Sequence, residues 1–277
     1  MNILQSKSIE PMMYSQKIIR HPKYSLPASS YAQMQATAMN RFARPWNPNL
    51  PLKDLGYGIG DFKKHDAWNL YDKYFFEGLK NLEDKVMLDF ACGAGRNIAN
   101  WWHRVHHIDG VDISVNMLTN AVAYLTSKNI PTQVHGRDIH LYLSNGHDLS
   151  VITTSQQYDI VTSTIALQHI CVHEIRYSLL KDFYRVLKPD GYIAIQMAYG
   201  EDHPRSVEYY ENYYDAPETN RACDVRVESP EQLRKDLEKI GFSNFEFAID
   251  SAPPGSDLDR HGRAIYFRAK KVISCNT

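Results

Sequence analysis

The sequence predicts an α/β fold, a doubly wound and mainly parallel sheet of seven strands. Three observations predict it. From about residue 65 onward, short apolar runs alternate with helix-periodic segments. The stretch VMLDFACGAGRNIANWWHRVHHIDGVDISVNMLTNA (Val86–Ala121) reads as strand, glycine turn, helix, strand ending in an acid, and helix. Clear turn and cap signals separate the later segments.

In chain order, Trp68, Tyr71, Phe75, Leu79 and Leu82 recur at three and four, which predicts a helix over Asp66–Leu82. Strand one is Lys85–Phe90, and a helix follows over Arg96–Arg104. Strand two is Ile108–Asp112, and Ser114 is the N-cap of a helix reaching Lys128. Thr132–His135 is a short third strand, Tyr158–Thr164 the fourth, and Ile175–Leu187 the next helix. Pro189, Asp190 and Gly191 turn into strand five, Tyr192–Met197. Ser229-Pro230-Glu231-Gln232 combines an N-cap, proline at the first helical position and a capping-box glutamine. A helix therefore runs to Ile240, with Gly241 as its C-cap. Phe245–Ile249 and Ala264–Ala269 complete the sheet.

Two regions stand outside this alternation. Residues 1–64 are rich in proline and glycine, with one helical stretch, Ser30–Ala43. Their aromatic content favours an arm or cap laid over the core, a disordered tail being the alternative. Residues 65–277 form the main domain. Within it, 200–228 is long, polar and rich in tyrosine, and directly follows the carboxyl end of strand five. Open α/β sheets bind ligands at such ends, so this insertion is expected as a lid, or else as an ornament on the flank.

Composition narrows the class. A chain of 277 residues with net charge −1 has no general attraction for polyanions, which disfavours nucleic acid as a partner. No apolar run approaches the roughly 20 residues that span a bilayer, and the first residues lack a signal-peptide pattern. Cys92, Cys171, Cys223 and Cys275 form no CxxC pair, so reduced thiols and a cytoplasmic location are expected. His103, His106 and His107 cluster in sequence but point in different directions from a helix end and a strand start, so no metal is assigned.

The glycine turn, Asp89-Phe90-Ala91-Cys92-Gly93-Ala94-Gly95-Arg96, carries the chemistry. Gly93 and Gly95 allow a tight turn and close approach of backbone to ligand. Asp89 lies just before the turn, where a pyrophosphate would be repelled, and Ile98 replaces the third glycine of a dinucleotide site. S-adenosylmethionine carries an ammonium and a sulfonium instead of phosphate, and suits nearby carboxylates. Asp112, ending strand two, can accept both ribose hydroxyls, with Ile113 and Met117 flanking the adenine.

These segments resemble class I S-adenosylmethionine-dependent methyltransferases. The likeness spans about Tyr71–Lys270 and is strongest in VMLDFACGAGRN, GVDISVNML, YDIVTSTIALQHI and FYRVLKPDGYIAIQM. The family usually has glycine where this chain has Ala91. The resemblance implies S-adenosylmethionine as cofactor, with Asp138 of Gly136-Arg137-Asp138 near the adenine amino group, or else a loop aspartate facing solvent. It implies that Ala166 and Leu167 pass the methionine moiety. His169 is then the leading general base, with a structural histidine as the alternative, and His173 is a weaker version of it. Gln168, Tyr199, Tyr209, Tyr210, Tyr213 and Tyr214 are expected on the substrate side. At helical spacing Tyr209 would share a face with Tyr213, and Tyr210 with Tyr214. The expected activity is methyl transfer to an oxygen or nitrogen, or as a lesser alternative a carbon, of a small or medium-sized molecule. An RNA or cap methyltransferase, a nicotinamide oxidoreductase and a non-catalytic cofactor sensor are the rivals. Nothing in the sequence speaks to oligomeric state.

Overall fold

The computed structural model describes residues 18–20, 27–43, 67–130, 139–155, 157–200, 206–214, 224–251 and 262–272. Their core is an eight-stranded sheet. Its strands are β1 (Ile18–Arg20), β2 (Val86–Phe90), β3 (His107–Asp112), β4 (Leu141–Leu143), β5 (Tyr158–Ser163), β6 (Leu187–Ala198), β9 (Phe242–Ser251) and β10 (Arg263–Lys271), while β7 (Ser206–Val207) and β8 (Asp224–Val225) form a separate parallel pair. The spatial order is β1-β4-β3-β2-β5-β6-β10-β9. β10 runs antiparallel to both neighbours and the other pairs are parallel. Without β1, which adds itself to the edge at β4, this is the expected seven-stranded sheet. Chain order reverses at β2, between β3 and β5, and this switch point opens a crevice at the strands' carboxyl ends.

Both faces are covered. Successive residues of β2 enter opposite cores: Met87 joins the cluster of Ile98, Trp101 and Ile108, and Leu88 joins Val161, Phe183 and Ile193. Both are fully buried. Truncating such a residue to alanine costs about 2–5 kcal/mol.

The helices are α1 (Pro27–Phe42), α2 (Ala67–Tyr71), α3 (Arg96–Trp101), α4 (Val115–Ser127), α5 (His173–Val186) and α6 (Pro230–Ile240). Ser114 caps α4 by accepting from Met117 N, and α6 has its capping box and Gly241 at φ 112°. Among the described residues no helix is long and apolar enough to cross a membrane.

Several elements differ from the sequence expectation. The helix expected over 66–82 is α2 followed by a π turn, Asp72–Phe76. That turn buries Phe75 and Phe76 together, and Gly78 at φ 79° ends it. The strand beside β3 is β4; the expected third strand, 132–135, lies outside the described residues, as does Asp138. β6 starts five residues early, at Leu187. Pro189–Gly191 sits inside it as an irregularity, with Asp190 at φ 62° and the register to β5 shifting between Tyr158 and Ile160. The tyrosines of 206–214 are not on a helix. Their backbone forms β7, a turn, and a bridge from Asn212 to Val172, so helical spacing does not pair them.

Candidate active site

A cavity lies at the switch point. Ala91, Gly93, Asp112, Ile113, Met117, Ala166 and His169, all expected at the site, line it. The turn that shapes it is tight: Ala91, Gly93 and Gly95 have φ of 56°, 54° and 81°. Gly95 N donates to Cys92 O at 2.9 Å, and α3 begins at once. Asp112 braces this turn. Its Oδ2 accepts from Gly93 N at 2.9 Å and its Oδ1 from Ser114 N at 2.8 Å. Burial raises the Asp112 carboxyl above its ordinary value, and backbone hydrogen bonds from Ser114, Gly93 and Ile113 offset part of that.

Asp89, Gly95 and Arg96 do not line the cavity. Gly95 backs onto Ala121 and Leu125 of α4. Asp89 is fully buried; its Oδ1 accepts from Asn97 Nδ2 and Thr162 Oγ1, both at 3.2 Å. Among the described residues its Oδ2 has no hydrogen-bond partner. Burial pushes this carboxyl up to about 7 despite the bonds from Asn97 and Thr162 and the charge of Arg96. A buried carboxylate oxygen without a donor fits a cationic ligand group and would repel a phosphate.

His169 is on the opposite wall. Its Nδ1 lies 2.6 Å from Asp224 Oδ1, and its side chain is 39% exposed against 7% for Asp224. With Nδ1–H donated to the carboxylate, the neutral ring carries its lone pair on Nε2. Ala166 and Ile165 precede it. Ile165 has φ 53°, an unusual backbone for a β-branched residue, and its N–H donates to Gln196 Oε1 at 2.8 Å. Gln168 is buried behind this wall, where it accepts from Gln196 Nε2 at 3.4 Å, and does not line the cavity.

The arm contributes as well. Gln35 and Met39 of α1 line the cavity, and Gln35 Nε2 donates to the His169 carbonyl. Asn40 Oδ1 accepts from Ser114 Oγ at 2.7 Å, tying α1 to the start of α4. Neither Gln35, Met39 nor Asp224 was among the expected site residues, and neither were Ser144 and Gly146. A Cβ on Gly146 would meet Ile113 Cδ1 at 2.3 Å, so this glycine lets Ile113 stand at the wall.

The five tyrosines expected on the substrate side do not line the cavity. Tyr209 is buried, donating to Asp236 Oδ2 at 3.1 Å beneath the guanidinium of Arg176. Tyr210 donates to Gln232 O and Tyr214 to Glu174 Oε2, at 3.0 and 3.2 Å, and Tyr213 N donates to Cys171 O at 3.0 Å. Tyr199 stacks against Arg263. His173, the weaker base expectation, points away: its Nε2 is 2.7 Å from Asp236 Oδ2. These residues pin the 206–214 segment to α5 and α6, and the segment's return strand, β8, brings Asp224 to His169.

A family model described as a methyltransferase domain matches residues 88–195. The chain is 26% identical over 193 residues to a demethylmenaquinone methyltransferase of Lactobacillus johnsonii, 64% of this chain and 75% of that one. It is 27% identical over 119 residues to a ubiquinone biosynthesis O-methyltransferase of Hydrogenovibrio crunogenus, covering 43% of this chain and less than half, 45%, of the relative. In fold it is similar to the 1,6-didemethyltoxoflavin-N1-methyltransferase of Burkholderia thailandensis, solved with 1,6-didemethyltoxoflavin and S-adenosylhomocysteine. The TM-score is 0.57 at 14% identity, over 91% of this chain and 93% of that one. The switch-point cavity and the matching family model lead to one conclusion: residues 88–195 are a methyltransferase domain, and the chain is an S-adenosylmethionine-dependent methyltransferase with the class I fold.

Proposed function

We propose that the enzyme methylates an ionisable oxygen or nitrogen of a small or medium-sized molecule, with His169 as general base. The observation that carries this reading is the His169–Asp224 pair on the cavity wall opposite the glycine turn. When bound, S-adenosylmethionine supplies an electrophilic methyl carbon on a good leaving group. Asp112 would hold the ribose, Ile113 and Met117 the adenine, Ala91, Gly93 and Ala166 the methionine portion, and the buried charge of Asp89 would favour the ammonium. His169 Nε2 takes the acceptor's O–H or N–H proton as the acceptor–methyl bond forms and the methyl–sulfur bond breaks. Asp224 keeps the imidazole in the tautomer that can do so and stabilises the imidazolium. Gln35 and Met39 close the cavity from the arm and exclude water from the transfer.

The relatives support the acceptor class. One is named as an O-methyltransferase of ubiquinone biosynthesis and one as an N1-methyltransferase. A phenolic O–H or a heteroaromatic N–H is the acceptor that needs such a base. The test is a pH–rate profile with phenolic and heteroaromatic acceptors, for the parent and His169→Asn. Loss of the basic limb in His169→Asn supports the reading, and an unchanged profile overturns it.

A further inference from the structure

Of the histidines clustered in sequence, His107 alone turns toward a buried acid. It opens β3, and Asp109, two residues on, lies on the same face of the strand. His107 Nε2 is 2.7 Å from Asp109 Oδ1. From the neighbouring chain segment, just before β4, His140 Nδ1 approaches the same oxygen at 3.2 Å, while its backbone N–H donates there at 2.8 Å. Three potential ligand atoms, two imidazole nitrogens and a carboxylate oxygen, thus lie within 4.8 Å of one another. The backbone fixes their relation, because Gly110 N also donates to His140 O at 2.9 Å.

We infer that His107, Asp109 and His140 bind a divalent transition-metal ion of the zinc class, at a site separate from the methyl-transfer cavity. Two imidazoles and one carboxylate are a donor set such ions accept, with water completing the coordination. Asp109 is buried, and among the described residues its ion-pair partners are these two histidines. The Tyr158 hydroxyl donates to Asp109 Oδ2 at 2.9 Å, which holds the carboxylate in place, and an ion bound at Oδ1 would replace its contacts with the two imidazoles. His107 is 17% exposed and His140 51%, so the site is open on the His140 side. The cavity is at the other end of β3, beyond Asp112, roughly 10 Å from Asp109 at about 3.3 Å per residue.

The experiment uses tag-free protein dialysed against chelator, titrated with Zn2+ by calorimetry and with Co2+ by visible absorption. One saturable equivalent is expected. His140→Ala, at the exposed ligand, should weaken binding at least about tenfold with the fold intact by melting temperature, and Tyr158→Phe should weaken it by roughly tenfold or more. His103→Ala and His106→Ala should leave it unchanged, and metal should not alter S-adenosylhomocysteine affinity. Absence of saturable binding by the parent, or equal binding by folded His140→Ala, would overturn the site and leave a structural ion pair.

Discussion

The cavity's two walls are made by different means. The cofactor wall comes from one run, Ala91–Met117, and is mostly backbone: a glycine turn braced by Asp112, with Asp89 buried behind it. The facing wall is assembled from side chains far apart in the chain, Gln35, Met39 and His169, with Asp224 behind. The family model covers the first wall and His169, residues 88–195, while Gln35, Met39 and Asp224 lie outside it. The His169–Asp224 pair therefore joins a residue of the matched domain to one that this chain supplies outside it.

The largest expected effect breaks the facing wall alone. His169→Ala should lower turnover about 10²–10⁴-fold, the usual worth of a general base, while S-adenosylhomocysteine affinity stays close to the parent's. Asp224→Asn should lower turnover less and shift the pH–rate profile, because the base remains but its tautomer is no longer held. Equal loss of cofactor affinity in both variants would show that the two walls are not separable.

The converse variant is Asp112→Ala. It removes the carboxylate proposed to hold the ribose and the brace on Gly93 N and Ser114 N. Losing a hydrogen-bonded charged partner costs about 1.5–3 kcal/mol, or roughly ten- to hundred-fold in affinity. Calorimetry with S-adenosylhomocysteine measures it. Unchanged affinity in a folded variant would remove Asp112 from the site, and preferential binding of NAD would put a dinucleotide there.

How much of each wall was legible in the sequence follows from the same contrast. Asp89, Gly93, Gly95 and Asp112 are recognisable because turn chemistry is local. Glycine φ values and an acid at a strand end leave marks within a few residues. Ser114, Ser229 and Gly241 were legible for the same reason. The His169–Asp224 pair spans 55 positions and depends on the path of an insertion, and nothing in the sequence around Asp224 marks it. The tyrosines misled because helical spacing was assumed where the chain forms short strands and turns. Their role in holding α5 and α6 depends on Asp236, Gln232 and Glu174, none of which periodicity identifies.

A proton distinguishes the two acids of the cofactor wall. Asp89 is raised to about 7, so the folded, ligand-free protein keeps a proton that the unfolded chain loses near its ordinary value. Its contribution to stability is full below about pH 4, falls as pH rises toward 7, and is level beyond. A cationic ligand favours the ionised form, so binding near pH 7 should release a fraction of a proton. Calorimetry in buffers of different ionisation enthalpy reads it, and Asp89→Asn should abolish it. Release that persists in the variant would assign the proton elsewhere.

The second histidine–aspartate pair sharpens the contrast between walls. His173–Asp236 matches His169–Asp224 in distance, 2.7 against 2.6 Å, but packs under Tyr209 and Tyr210 instead of facing the cavity. His173→Ala should cost about 1–3 kcal/mol of stability, as for a buried bond left unmade, with the shape of the pH–rate profile unchanged. A changed profile would mean that the latch reaches the chemistry.

The smallest effect concerns Ala91, the alanine that opens the glycine turn. Its φ of 56° is left-handed, a region that costs a residue with a Cβ roughly 1–2 kcal/mol. Ala91→Gly relieves this strain. Against it stand about 0.5–1 kcal/mol of added freedom in the unfolded chain and part of one methyl group's burial, worth at most about 0.8 kcal/mol. These terms nearly cancel, so the variant should shift stability by less than about 1 kcal/mol, with an unchanged urea m-value. Cofactor affinity should stay within a few-fold, since the backbone path is already that of the glycine form. A loss above 1 kcal/mol would show that the Ala91 methyl packs as part of the cavity wall more than it strains the turn. In that case alanine is a fitted feature of this cofactor wall, and the wall is less generic than its backbone suggests.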